Sequence, residues 1–200
     1  MSETKAPRKR PPPDPASESW RKLPWRKFEQ HVYRLQKRIF RASQHGNIQA
    51  AHKLQKLLMK SRAARLLAVR RVTQDNQGKN TAGVDGVKAV PPQQRIELAE
   101  QIHPKRWEDN KPRPVRRVWI PKPGKAEKRP LGLPSWSDKL LQEVLRLILS
   151  AYFEPQFSDH SHGFRPNRGC HTALSEVYHQ GVGTTYFVEG DIQACFDHAS

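Results

Sequence analysis

Acidic side chains, cysteines and long apolar runs are all scarce in this sequence. Nowhere do 18 residues in a row read as apolar, so nothing in it is suited to span a membrane as a helix. The basic N-terminus lacks the apolar stretch of a secretory signal. There are only two cysteines, Cys170 and Cys195. They form neither a disulfide framework nor a CxxC pair, and a reduced, cytoplasmic setting follows. His160, His162, Cys170 and His171 come nearest to a metal-binding group, but their spacing fits no zinc pattern, and scattered surface histidines are the simpler reading. Hydrophobic residues make up 36% of the chain, which limits the core to a modest size for 200 residues.

What is abundant is positive charge. Lys and Arg number 36 against 19 Asp and Glu, a formal net charge of +17. That balance predicts a polyanionic partner, most simply nucleic acid, with an anionic membrane surface as the alternative. The charge is uneven: residues 1–70 hold 18 basic and 4 acidic side chains, and residues 103–130 hold 10 and 3. Residues 131–200 reverse the sign, with 4 and 8.

Residues 1–19 contain five prolines and almost nothing apolar. They cannot bury enough surface to offset chain entropy, and a disordered basic tail is expected. From Trp25 onward, Phe28, Val32, Leu35 and Ile39 recur at helical spacing, with Arg26, Lys27, Arg34, Lys37, Arg38 and Arg41 on the other faces. Gly46-Asn47 ends that helix, and Asn47 is placed to cap a second one running to about Arg71, with Ile48, Ala51, Leu54, Leu58 and Ala64 inward. Lys53, Lys56 and Lys60 extend the basic surface. The pair reads as a basic helical hairpin whose charge exceeds what solubility requires. Residues 75–92 form a turn-rich loop, and 93–102 a short helix. RPVRRVWIP (113–121) reads as a strand opening a hairpin, with KPGKAEKRP (122–130) as its basic turn. Ser137 or Asp138 is expected to cap an apolar helix carrying Leu140, Leu141, Val144, Leu145, Ile148 and Tyr152. HGFRPNRG (162–169) is a loop, 170–180 a weakly amphipathic helix, and TTYFVEGDI (184–192) a strand by its alternation. The divisions expected are a tail over 1–19, a basic helical extension with an early loop over 20–92, and an α+β region over 93–200.

Asp191 closes that apolar strand. A carboxylate there is suited to Mg²⁺, which takes oxygen ligands and keeps water or phosphate in its remaining positions. By itself a strand-end Asp is more often a turn or cap residue. Lys122 and Arg129 flank a Pro-Gly turn, where a point charge and a guanidinium fork can hold phosphate oxygens. By itself this is also an ordinary hairpin tip.

In order along the chain, NTAGVDGV (80–87), RRVWIPKPGKAEKRPLGLPSWSDKLLQ (116–142), HGFRPNRGCHTAL (162–174) and GDIQACFD (190–197) resemble the opening motifs of bacterial group II intron reverse transcriptases, the intron-encoded maturases. The preceding helices resemble that family's N-terminal extension. The resemblance implies an α+β fold: a helical extension, reverse-transcriptase fingers, and the beginning of a right-hand polymerase palm. It implies that Asp191 is the first catalytic carboxylate, binding two Mg²⁺ ions with the Ile192 carbonyl as a further ligand. Phe196 matches the residue beneath the incoming sugar. Lys122 and Arg129 match residues on the incoming triphosphate, with Lys125 a rival for the first. Arg116 or Arg117 matches a basic position near template and nucleotide. The 80–87 loop and Gly163, Phe164, Arg165 and Arg168 match blocks that contact template. The implied partners are group II intron RNA, a template-primer and deoxynucleoside triphosphates, and no membrane. The two-ion mechanism takes several carboxylates, and Asp197 lies too near Asp191 to supply the rest. The expectation is therefore the N-terminal portion of a longer polymerase, or a truncated product, inactive in polymerisation by itself. The alternative is a decayed, stand-alone RNA-binding protein.

Overall fold

The computed structural model describes residues 15–106, 114–124 and 126–193. The expectations placed on residues 1–14, Lys125, Phe196 and Asp197 lie outside the described residues. The chain divides into two compact units, one ending at Gln156 and the other beginning at Phe157.

In the first unit, helix α1 (Pro15–Arg21) leads into α2 (Trp25–Gln44). The apolar spacing of α2 has the expected result: Val32, Leu35 and Ile39 are buried, and Phe28 packs at the margin of the core. Gly46, at φ 65, turns the chain out of the helix. Asn47 then caps α3 (Ile48–Lys60), its side-chain oxygen accepting from the Ala50 N–H at 3.0 Å. Ile48, expected inward, is exposed at the first position of α3. The single second helix expected to Arg71 is in fact two. Ser61 has an extended backbone (ψ 122°) and separates α3 from α4 (Arg62–Arg70), which widens into a π-turn over Arg71–Asp75.

The break at Ser61 lets Arg65 reach inward. Arg65 is 3% exposed, and its guanidinium donates to the carbonyls of Ala99 (2.7 Å) and Lys60 (2.8 Å) and to Glu100 (3.1 Å). A buried charge is tolerated only when its donors are met in this way. The contacts fasten α4 to α5 (Pro92–Gln101). Partial desolvation pushes the Glu100 carboxyl up, but hydrogen bonds and charge from Arg62 and Arg65 outweigh it and hold its pKa below the ordinary carboxylate value.

Helix α6 (Trp136–Phe153) closes the core with Leu140, Val144 and Ile148 against α2 and α4. Full burial of each such side chain contributes about 1.5–3 kcal/mol. Gln36 and Ser43 donate from α2 to the carbonyls of Leu147 (2.8 Å) and Tyr152 (2.6 Å), fixing the register of the pair. The cap of α6 is Ser135, two residues before Ser137 and three before Asp138. Its hydroxyl accepts from the Asp138 N–H and donates to the Asp138 carboxylate at 2.6 Å. Asp138 is thus the third residue of the helix and belongs to the cap without being its first residue.

Strands β1 (Arg116–Pro121) and β2 (Lys128–Leu133) form an antiparallel hairpin, the only sheet among the described residues. Gly124, at φ 70, makes the turn. The Lys122 N–H donates to the Glu127 carbonyl at 3.1 Å, so 122 and 127 are a hydrogen-bonded pair. The alternation of an antiparallel ladder then makes 121–128 and 119–130 the close, non-hydrogen-bonded pairs. Pro121 and Pro130 occupy these positions, where a backbone nitrogen points outward and its missing proton costs no ladder bond. Among the described elements, no helix packs extensively on the hairpin.

In the second unit, α7 (Cys170–Gly181) starts at Gly169, whose N–H donates to the Thr172 hydroxyl at 2.9 Å. Its expected apolar face is not buried: Leu174 and Val177 are exposed. The strand expected over 184–192, and with it the start of a palm sheet, is not formed. Tyr186, Phe187, Val188 and Ile192 are all exposed, and no described segment pairs with them as a strand. Alternation alone does not make a strand, because its backbone groups must be paired. Among the described residues, no helix is long and apolar enough to cross a membrane.

Candidate functional site

Nine basic side chains were singled out on the two long N-terminal helices, and all nine are exposed: Arg26, Lys27, Arg34, Lys37, Arg38 and Arg41 on α2, and Lys53, Lys56 and Lys60 on α3. The amphipathic pattern dictates this, since Val32, Leu35 and Ile39 take the core side. The two helices carry one carboxylate between them, Glu29, and it pairs with Arg70 at 3.1 Å. No described carboxylate pairs with any of the nine. Among the described residues the surface is therefore a field of solvated cations, the arrangement a phosphate backbone neutralises.

The hairpin register sorts the remaining basic candidates. Arg116, Lys122 and Arg129 fall on one face with Val118 and Ile120, while Arg117 falls on the other with Trp119. Lys122 and Arg129 come within one diagonal step of each other at the tip, and Arg116 lies at the opposite end, across from Leu133. Lys122 is already engaged: its Nζ lies 2.9 Å from the Glu127 carboxylate, whose pKa that hydrogen bond and charge hold below the ordinary value. Glu127 was not singled out from sequence, although a lysine and a glutamate facing each other across a turn was the available signal.

The 80–87 loop is built into the start of α6. Asp85 accepts from the Trp136 N–H at 2.6 Å, the Trp136 indole N–H donates to the Val87 carbonyl at 2.7 Å, and Lys139 Nζ donates to the Thr81 carbonyl at 3.0 Å. Asp85 thereby satisfies one of the free N–H groups at that helix end.

In the second unit, the 162–169 loop is held by its own side chains. Arg165 donates to the carbonyls of Ser158 (2.5 Å) and Ser161 (2.8 Å) and lies over the Phe157 ring. Arg168 donates to the Asp159 carbonyl. Phe164, at φ 57, is fully exposed. Both arginines assigned to RNA thus have structural partners in their own loop. His162 lies between the Thr172 hydroxyl (2.9 Å) and Glu176 (2.6 Å), and His160 bonds the other Glu176 oxygen. These three residues sit in the wall of a pocket of about 590 Å³ that also includes Ala173, Val177 and Phe187. Hydrogen bonds from His160 and then His162 hold the Glu176 carboxyl below its ordinary pKa. A depressed folded pKa means the contribution is present above about pH 4.3, the unfolded value, and is lost as pH falls through the folded one. Amide protection across 158–172, relative to the intrinsic exchange rate at each pH, is expected to fall on acidification below about pH 4, and Glu176→Gln to flatten that dependence. A wild-type profile that stays flat would show that these contacts do not order the loop.

Asp191 and Ile192 lie in the exposed, unpaired segment after α7. Among the described residues, no group of three His, Cys, Asp or Glu side chains converges as a metal site would require.

Comparison with known proteins covers two stretches of the chain. A family model described as the N-terminal domain of reverse transcriptase matches residues 20–102, and one described as reverse transcriptase (RNA-dependent DNA polymerase) matches 120–200. The group II intron-encoded protein LtrA of Lactococcus lactis subsp. cremoris is 53% identical over 87 residues, 44% of this chain and 14% of LtrA. The chain belongs to the group II intron reverse transcriptase family. Protein YkfC of Escherichia coli K12 is 35% identical over 134 residues, covering 64% of this chain and 35% of YkfC. Nuclear intron maturase 1, mitochondrial, of Arabidopsis thaliana is 40% identical over 65 residues, 32% of this chain and 9% of that protein. The chain thus spans only a small part of the length of these relatives. A reverse transcriptase of this family implies Mg²⁺, for which the described residues offer the Asp191 carboxylate and the Ile192 carbonyl. Both are oxygen donors of the right kind, but one carboxylate is too few for a two-ion site, and the described residues do not by themselves fit one.

Proposed function

We propose that this chain is the RNA-binding, N-terminal portion of an RNA-directed DNA polymerase and maturase, which grips group II intron RNA in the cytoplasm and supports splicing and retrohoming. The observation that carries the reading is the uncompensated basic surface of α2 and α3, on a segment matching the N-terminal domain of reverse transcriptase. Lysines and arginines on helices hold RNA through phosphates and shape, not through base sequence. The hairpin face with Lys122, Arg129 and Arg116 would meet the triphosphate of an incoming deoxynucleotide, with Arg117 near the template on the reverse face. Arg165 and Arg168 would keep the 162–169 loop in shape against template RNA. Asp191, with the Ile192 carbonyl, would be one element of the Mg²⁺ site, and phosphoryl transfer takes more carboxylates than it supplies. This chain alone is therefore expected to bind RNA without extending a primer.

The test is primer extension on an RNA template with Mg²⁺ and deoxynucleotides, run beside retention of the same template on a filter. The expected result is retention that weakens steeply with salt, and no extension by either the wild type or Asp191→Asn. Extension that Asp191→Asn abolishes would show that residues within the chain complete the metal site. Absence of salt-dependent retention would remove the RNA-binding reading.

A further inference from the structure

The face of the hairpin turned away from Lys122 and Arg129 is unlike the rest of the surface. It carries Val115, Arg117, Trp119 and Pro121 from the first strand side, and Lys128, Pro130 and Gly132 from the second. It contains no carboxylate. Trp119 is 55% exposed, whereas Trp20 and Trp136 are 2% and 5% exposed. A tryptophan left this open on a strand loses the apolar burial that usually places it inside.

The register explains how the indole is held. Trp119 stands directly across from Pro130 in a close, non-hydrogen-bonded pair. That register sets the pyrrolidine beside the indole, and the ring keeps more than half of its surface open. Arg117 lies two residues back on the same strand, and Lys128 lies on the diagonal across the ladder, about 7–8 Å away by sheet geometry. At the base of this face is Gly132, where a β-carbon would meet Val115 Cγ2 at 3.0 Å. That end of the platform is kept low. An exposed aromatic ring flanked by two cations is the combination that holds single-stranded nucleic acid: the ring takes a base and the cations take the adjoining phosphates. In a duplex the bases are already stacked on one another, and no free base face is offered.

We infer that the hairpin face bearing Arg117, Trp119 and Lys128 is a stacking platform for an unpaired base of single-stranded RNA. This rests on the RNA-binding reading and adds to it a distinct surface and a preference for unpaired strand. The experiment uses the full chain, a fluorescein-labelled oligoadenylate and a blunt RNA duplex of equal length. Trp119→Ala is expected to weaken binding of the oligoadenylate roughly 5- to 150-fold, the range for loss of one stacked base, and to leave duplex binding within about two-fold. Trp119→Phe keeps a ring on the platform, so it should retain most single-strand affinity while removing most of the tryptophan quenching that oligoadenylate causes. Wild-type affinity for the oligoadenylate in Trp119→Ala, or an equal loss on both RNAs, would overturn the platform alone. Binding of neither RNA by the wild-type chain would remove the underlying RNA-binding reading as well.

Discussion

Replacing Arg34, Arg38 and Arg41 together by glutamine is expected to weaken RNA binding about 50-fold near 0.15 M salt, and to lower the slope of log K against log salt by about 2. The three side chains sit at spacings of four and three residues, which places them on one solvent stripe of α2. Each phosphate they neutralise releases condensed counterion, worth about 0.7 in the slope per contact on single strands and about 0.9 on a duplex. Nothing within the two helices offsets the loss, because Glu29 is held by Arg70. Glutamine has nearly the helix propensity of arginine, so the helix itself should persist, and circular dichroism would verify this. A titration at several salt concentrations reads affinity and slope together. A slope equal to that of the wild type would place the phosphate contacts elsewhere in the chain.

Gly83→Ala should be among the most destabilising single substitutions in the first unit. A β-carbon at Gly83 would lie 2.0 Å from the Pro134 carbonyl oxygen and 2.8 Å from its carbon. Both obstacles are backbone, so no side-chain rotation relieves the clash. The 80–87 loop must move away from the start of α6, stretching the bonds of Trp136 to Asp85 and Val87 and of Lys139 to Thr81. Overpacking of this kind costs about 1–3 kcal/mol, and each buried hydrogen bond lost adds about 1 kcal/mol. Thermal unfolding should show the drop. Gly78→Ala, whose β-carbon would meet only the Asn76 side chain at 3.7 Å, is the comparison and should stay within about 0.5 kcal/mol. Equal stability of the two variants would mean the loop is not packed against Pro134 in solution.

The elements with a strong local signal were legible in the sequence. The burial of Val32, Leu35 and Ile39 follows from their spacing, the Asn47 cap from a polar residue after Gly46, and the hairpin from a Pro-Gly turn between extended segments. The break at Ser61 was not legible, because the apolar period runs through it and serine is no breaker. It accompanies the burial of Arg65, whose partners Ala99 and Glu100 lie some 35 positions away. The strand at 184–192 fails for the complementary reason: its alternation is real, but a strand depends on neighbours that a local pattern does not reveal. Among the candidate residues, sequence placed the nine helical cations on the surface correctly. It could not foresee that Lys122 is paired with Glu127, or that Arg165 and Arg168 have partners in their own loop, since each depends on where carbonyls and carboxylates fall once the backbone has turned.

The outward-pointing prolines of the hairpin have a consequence for the chain at high concentration. A two-stranded ribbon has two unprotected edges, each a template on which another polypeptide can add hydrogen bonds. Pro121 and Pro130 remove an outward donor from each strand, so neither edge offers a continuous row of amides. The 184–192 segment has no such guard and exposes Tyr186, Phe187 and Val188 in succession. If copies of this chain cluster in a test tube, the cross-β contact should nucleate there, and the ribbon should remain a bystander.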